Sequence, residues 1–292
     1  MELASLRAFA AVARFRSFSQ AADHLHLTQP AVSKRISNLE EALDAKLFDR
    51  LGRQIELTEA GRALLSRVQD VEQSVKQAEQ AVRELSGEVR GPLRIATSHH
   101  IGLHRLPSVL SAFQQSHPQV RLDIDFVDSE QAYEQLRVGQ IELAVVTLAP
   151  GDISKLHSEP LWDDPLMVMV SPTHPLASKK RVSLAELSEH PAVLPGLETF
   201  TGRIVHRHFD EQGVALQLGM ETNYLETLRM MASVGLGWTV LPSTMLGDDL
   251  RGLTLHKADM RRTLGLVYHE DRSLSRSATA FAELLRERAF AG

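Results

Sequence analysis

Ten residues, Thr28 to Ser37, read Thr-Gln-Pro-Ala-Val-Ser-Lys-Arg-Ile-Ser and carry two cations and no acid. On a helix, Thr28, Gln29, Ser33, Lys34 and Ser37 fall on an outer face and Val32 and Ile36 on an inner one. The outer set offers hydrogen-bond donors and positive charge with no carboxylate to repel a phosphate, the profile of a major-groove reader. A second polar set lies far downstream. Ser98-His99-His100, Thr147, Thr201-Gly202 and Asn223 each end an apolar run or precede a helical pattern. Hydroxyls and backbone N–H groups at helix starts bind carboxylates and phosphates. Taken singly, Ser98, Thr201 and Asn223 read as plain helix caps; their convergence on one cleft would make them a binding site. His100 and His104 are four residues apart, a spacing that suits a metal on a helix. Their segment holds no Asp, Glu or Cys. His99 and His100 are therefore read as hydrogen-bonding partners of a bound molecule or as polar loop residues, and no metal and no cofactor is expected. No Gly-x-Ser-x-Gly, P-loop or His-Glu-x-x-His occurs, which argues against an enzyme.

Three kinds of segment must position these residues. To about Leu57 the pattern is short helices. Leu3, Leu6, Phe9, Ala10 and Ala13 have helical spacing, and Ser19 is placed to cap a second helix over residues 20–25. After a polar turn at residues 26–28, Gln29-Pro30 opens a third helix to about Leu43. A Gly52 turn between two apolar runs predicts a hairpin with Arg50 and Arg53 near its tip. Thr58 then caps one long helix, about 40 Å from Thr58 to Leu85. Leu64, Val68, Val71, Val75, Ala78, Val82 and Leu85 step by four and three along it, a heptad seam. Self-pairing is the favoured reading of so narrow a seam, with docking on the chain's own domain as the alternative. Gly87 and Gly91-Pro92 read as a hinge. From residue 93 onward strand-like runs alternate with helical patterns, which predicts an α/β fold with mostly parallel sheets in two small lobes.

The bulk numbers agree with a globular protein. The chain has 292 residues, 43% hydrophobic and 24% charged, with no cysteine. That length suits about two domains. The missing cysteines rule out disulfides, thiol catalysis and Cys-zinc sites. No apolar run approaches the roughly 18 residues of a membrane span. The opening residues have no basic or apolar leader pattern, so a cytoplasmic protein is expected. Residues 1–90 hold 13 basic and 13 acidic groups, and the remainder holds 19 and 24, which accounts for the net −5. Overall charge would not suggest nucleic acid; the case is local.

The segment from Ser19 to Glu40, then Leu47-Phe48-Asp49-Arg50, Arg53 and Leu57-Thr58-Glu59-Ala60-Gly61, closely resembles the N-terminal region of LysR-type transcriptional regulators. Further on, Leu93–Ser98, Gly139–Val146 and Val234–Pro242 resemble segments of that family's effector domain. The resemblance implies a winged helix-turn-helix DNA-binding domain over residues 1–57, a linker dimerisation helix over 58–86, a hinge over 87–92, and a two-lobed periplasmic-binding-protein-like effector domain over 93–292. It implies promoter DNA as partner, with contacts from Gln29, Pro30, Ser33, Lys34, Arg35, Arg50 and Arg53. It also implies a homodimer through the linker helix, often a tetramer, and RNA polymerase as a further partner. Many relatives carry Arg where Lys34 stands, and lysine lacks the bidentate geometry that reads guanine. A small organic effector is expected between the lobes, an anion on the helix-start argument. The alternative is a solute-binding protein without a transcriptional role, against which the helix-turn-helix counts.

Overall fold

The structure is a computed structural model describing residues 2–51, 54–84, 89–256 and 260–290. It divides into two compact units, Met1–Ser86 and Gly87–Gly292.

The first unit packs α1 (Leu3–Phe15), α2 (Phe18–His24) and α3 (Gln29–Leu43) around Phe9, Val12, Phe18, Ala21, Val32, Ile36 and Leu39. Helix α2 starts two residues earlier than expected: Ser17, not Ser19, is its cap, accepting from the Gln20 N–H at 3.3 Å. Burial of Phe18 fixes that start, because the ring must lie in the helix to reach the core. Thr28 caps α3 by accepting from the Ala31 N–H, and Asp44 in a left-handed conformation ends it. Strands β1 (Phe48–Leu51) and β2 (Gln54–Leu57) form the expected hairpin, with Phe48 opposite Leu57.

Helix α4 (Glu59–Glu84) follows directly. Thr58 locks the corner between hairpin and helix, donating to the Lys46 carbonyl at 2.7 Å and accepting from the Gly61 N–H at 3.0 Å. A Cβ on Gly61 would lie 2.2 Å from the Leu47 carbonyl oxygen, so only glycine allows this approach.

In the second unit, β3 (Gly91–Thr97) lies between β4 (Val120–Phe126) and β5 (Leu143–Thr147), all parallel. The expected hinge residues Gly91-Pro92 belong to β3, while Gly87 lies outside the described residues. Helices α5 (His99–His104), α6 (Pro107–Ser116) and α7 (Ser129–Arg137) connect these strands. Strand β6 (Leu156–Val170) runs through both lobes. Its first part pairs antiparallel with β12 (Arg261–His269), which also pairs antiparallel with β5. Its last part pairs antiparallel with β10 (Thr239–Pro242) and β11 (Arg251–Leu255).

The second lobe adds the short β7 (Arg181–Val182), α8 (Leu184–Ser188), β8 (Ala192–Leu194), α9 (Phe200–Glu211), β9 (Leu218–Glu221) and α10 (Leu225–Ser233). Helix α11 (Arg276–Phe290) returns to the first lobe, where Phe281 packs edge-on against Phe113.

The sheets are thus mixed rather than mostly parallel. The antiparallel share comes from β6 and β12, which carry the chain between lobes. Pro160, Pro165 and the acid pair Asp163-Asp164 make the first part of β6 look like a loop in sequence. Pro160 sits opposite Gly265 at a bulge, where strand proline is tolerated. Helices cover both faces of each lobe's sheet, with Phe209 stacked on the fully buried Trp238 in the second.

Candidate functional site

The first turn of α3 holds Gln29 and Pro30, both exposed, and carries no acid. Gln29 Nε2 donates to Ser33 Oγ at 2.9 Å, so the two side chains are pre-aligned one turn apart. Thr28, Lys34 and Ser37 are exposed, Ser33 and Arg35 half-buried, and Val32 and Ile36 face the core. Glu40, the nearest acid along α3, is turned away: it binds Lys46 at 2.8 Å and accepts from the Leu47 N–H at 2.8 Å. Those partners hold its carboxyl below the ordinary range against the opposing effect of burial. Arg50 lies in β1. Arg53 and Leu85 fall outside the described residues, as do the side chains of Arg50 and Val82.

The α4 seam divides into two parts. Leu64 packs against the helical core and Val68 is buried within it at 1% exposure, so Val68 is committed to its own unit rather than to a partner. Beyond it Val71 is 38% exposed, Val75 half-buried and Ala78 exposed.

Between the lobes of the second unit is a cleft of about 40 Å³, room for roughly three waters or a small polar molecule. Ser98, His99, His100, Thr147, Thr201 and Asn223 line it as expected. Their roles differ from the expected caps. Ser98 makes no capping bond, and the cap of α9 is Thr199, accepting from the Gly202 N–H at 2.9 Å. Thr201 Oγ1 instead accepts from Arg262 Nη1 at 3.0 Å. Asn223 bridges the lobes: its Oδ1 accepts from the Gly196 N–H at 3.1 Å, and its Nδ2 donates to Asp128 Oδ2 at 2.7 Å and Glu198 Oε1 at 3.1 Å. Gly202 is not among the lining residues. A Cβ there would lie 2.1 Å from the Gly196 carbonyl oxygen, so its glycine serves packing.

Four polar lining residues outside the expected segments escaped the sequence reading. Asp128, Ser129 and Glu130 open α7, and their position after a strand and before a helix matches that of Ser98, a usable signal. Ser129 Oγ accepts from the Thr147 N–H at 3.1 Å. Glu130 accepts from the Phe200 N–H, so the start of α9 is already occupied by the protein's own carboxylate. Burial raises the Glu130 carboxyl above its usual range.

The fourth, Arg262, has no local signal, since its partner lies 98 residues away on a paired strand. It is buried, its Nε donates to Asp164 Oδ2 at 2.8 Å, and its Nη2 has no hydrogen-bond partner. His100 is buried beside it; burial and the Arg262 charge lower its pKa to about 4, leaving it neutral at neutral pH.

A family model described as the LysR substrate binding domain matches residues 86–290, and one described as a bacterial regulatory helix-turn-helix protein of the lysR family matches residues 3–62. The chain belongs to the LysR family. This LysR-type protein is 33% identical over 290 residues, 98% of its length, to a RuBisCO operon transcriptional regulator of Allochromatium vinosum, covering 95% of that protein. Its fold matches full-length OxyR of Pseudomonas aeruginosa, with TM-score 0.69 at 23% identity over 99% of this chain and 94% of that one. It also matches CbnR crystallised with its target DNA, with TM-score 0.67 at 20% identity over 99% and 100%. The LysR-type chain is a DNA-binding transcriptional regulator with an effector-binding domain. No described helix is long and apolar enough to cross a membrane.

Proposed function

We propose that this regulator works in the cytoplasm by binding rather than catalysis, reading promoter DNA as a dimer and answering to a small polar molecule in the interlobe cleft. Gln29 and Ser33 read bases, and Lys34, Arg35, Arg50 and Arg53 hold phosphates. The exposed part of the α4 seam, Val71, Val75 and Ala78, pairs two chains, so that two reading heads meet two half-sites. Family membership supports extending this reading to tetramers of such dimers and to contact with RNA polymerase.

The observation that carries the effector reading is the unpaired Nη2 of buried Arg262 in the cleft wall. A buried donor without an acceptor is costly, and a ligand oxygen would satisfy it. A simple anion fits less well than the sequence suggests: Glu130 already fills the α9 start, and Asp128 and Glu130 line the same cleft. The favoured effector therefore presents an acceptor to Arg262 and donors, such as hydroxyl or ammonium groups, to Asp128 and Glu130. Thermal-shift screening of small metabolites tests this. A true effector raises the melting temperature of the wild type, does so less for Thr201→Val and Asp128→Asn, and changes affinity for promoter DNA. Hits that stabilise all three proteins equally would place the binding site elsewhere.

A further inference from the structure

The geometry points to a site for a divalent transition-metal ion, of the zinc type, formed by His100 and His104 of α5 and Glu226 of α10. Glu226 Oε1 lies 3.3 Å from His100 Nδ1 and 3.1 Å from His104 Nε2, and the three donor atoms all lie within 4.8 Å of one another. A metal held at about 2.0–2.1 Å by nitrogen and oxygen ligands separates tetrahedral neighbours by roughly 3.3 Å, so small side-chain rotations complete the site. It is the one such cluster of His, Asp or Glu donors among the described residues.

Two imidazoles and one carboxylate select borderline ions such as Zn2+, Co2+ or Ni2+ over Mg2+ and Ca2+, which take oxygen ligands. The set carries a single negative charge. The nearby Arg262 does not oppose a cation outright, because its charge is paired with Asp164 at 2.8 Å. His100 is buried and therefore held in place, whereas His104 is 52% exposed, leaving a path for the ion. Three protein donors leave at least one position for water or a ligand atom, and His100 also lines the cleft.

The site spans the two lobes, since α5 belongs to the first and α10 to the second. A bound ion would tie them together at the cleft. The acid was invisible beside the histidines in sequence because it sits 122 residues beyond His104. The inference does not depend on the identity of the organic effector.

Full-length protein, stripped with a chelator and dialysed, is titrated with Zn2+ and with Co2+, the latter followed by visible absorption, with Mg2+ as control. The expected result is one ion per chain, the intense Co2+ bands of a tetrahedral nitrogen–oxygen site, and no response to Mg2+. His104→Ala and Glu226→Gln, both at non-core positions and checked for native melting without metal, should each weaken binding by at least about tenfold. Absence of Zn2+ and Co2+ binding by the wild type would overturn the assignment, leaving the cluster as two imidazoles hydrogen-bonded to one carboxylate. Binding retained by both variants would also overturn it, placing the ion on other histidines such as His174 and His190, whose rings lie 4.8 Å apart.

Discussion

The outer face of α3 and the interlobe cleft are both polar, but they use their polar groups in opposite ways. On α3 the side chains are exposed or half-buried on the outer face, and the one described bond between them, Gln29 to Ser33, links neighbours on a single turn. In the cleft, groups from different elements are paired across distance: Asn223 with Asp128, Glu130 with the Phe200 N–H, Arg262 with Asp164 and Thr201. The α3 face can meet DNA without giving up internal bonds. A cleft ligand can use the unpartnered Arg262 Nη2 but must compete with internal bonds for Asp128 and Glu130, and since those bonds join the two lobes, binding is coupled to lobe arrangement. Function in the first region is presented; in the second it is exchanged.

The contrast predicts where substitutions act. Arg262→Ala should cost the most, because it removes the hydrogen-bonded cation of buried Asp164 and leaves it, among the described residues, only Arg105 at 4.0 Å; a loss of about 3–5 kcal/mol is expected in urea unfolding. A melting curve close to wild type would mean that the pair is not built into the core. Helix α4 repeats the contrast within one element, buried at Val68 and open from Val71 onward. Val75→Glu should cost about 2–4 kcal/mol of dimer stability by placing an unpaired carboxylate in the seam. Sedimentation should then show monomers with weakened promoter binding, and wild-type sedimentation would show that this stretch pairs with nothing.

Smaller effects follow at the DNA face. Gln29→Ala or Ser33→Ala should lower discrimination between promoter and scrambled DNA by about 1–3 kcal/mol, with melting temperature unchanged. Glu159 provides the smallest effect. Arg286 of α11 binds its carboxylate in bidentate fashion, Nε to Oε1 and Nη2 to Oε2, both at 2.8 Å, and holds its pKa below the ordinary value. Because the folded pKa is depressed, this stabilisation is present above the ordinary carboxylate pKa and disappears as pH falls through the folded one. Glu159→Gln should cost about 1 kcal/mol at neutral pH after allowance for solvent screening. Its gap from wild type should close in acid; a gap independent of pH would assign the loss to packing.

How legible each region was follows from the same contrast. The α3 face is contiguous, so ten residues displayed its charge, cap and inner apolar positions together. The hairpin and the long helix were equally local; the α2 cap falls at Ser17 rather than Ser19 because burial of Phe18 outweighs the cap pattern, and Val68 leaves the seam because a heptad does not show which of its positions face the chain's own core. In the effector unit the strand ends were found because ligand groups cluster after strands and before helices. The pairs across them were not. Asp164 to Arg262 spans 98 residues and Asn223 to Asp128 spans 95, distances at which only strand pairing and lobe packing decide who meets whom. Strand β6 hid for a related reason, since its prolines sit where a bulge and the passage between lobes tolerate them.

If base reading resides in the presented face of α3 and the cleft contributes through exchangeable bonds, substitutions in the two regions should separate on DNA. Promoter and scrambled DNA should be titrated over a salt series against wild type, the double variant Gln29→Ala/Ser33→Ala, and Asn223→Ala, without added metabolite. The α3 variant should lose preference for the promoter while keeping the wild-type salt slope, because phosphate contacts remain. Asn223→Ala should retain both preference and slope. Loss of promoter preference in Asn223→Ala, or its retention in the α3 variant, would show that base reading does not reside on α3 alone.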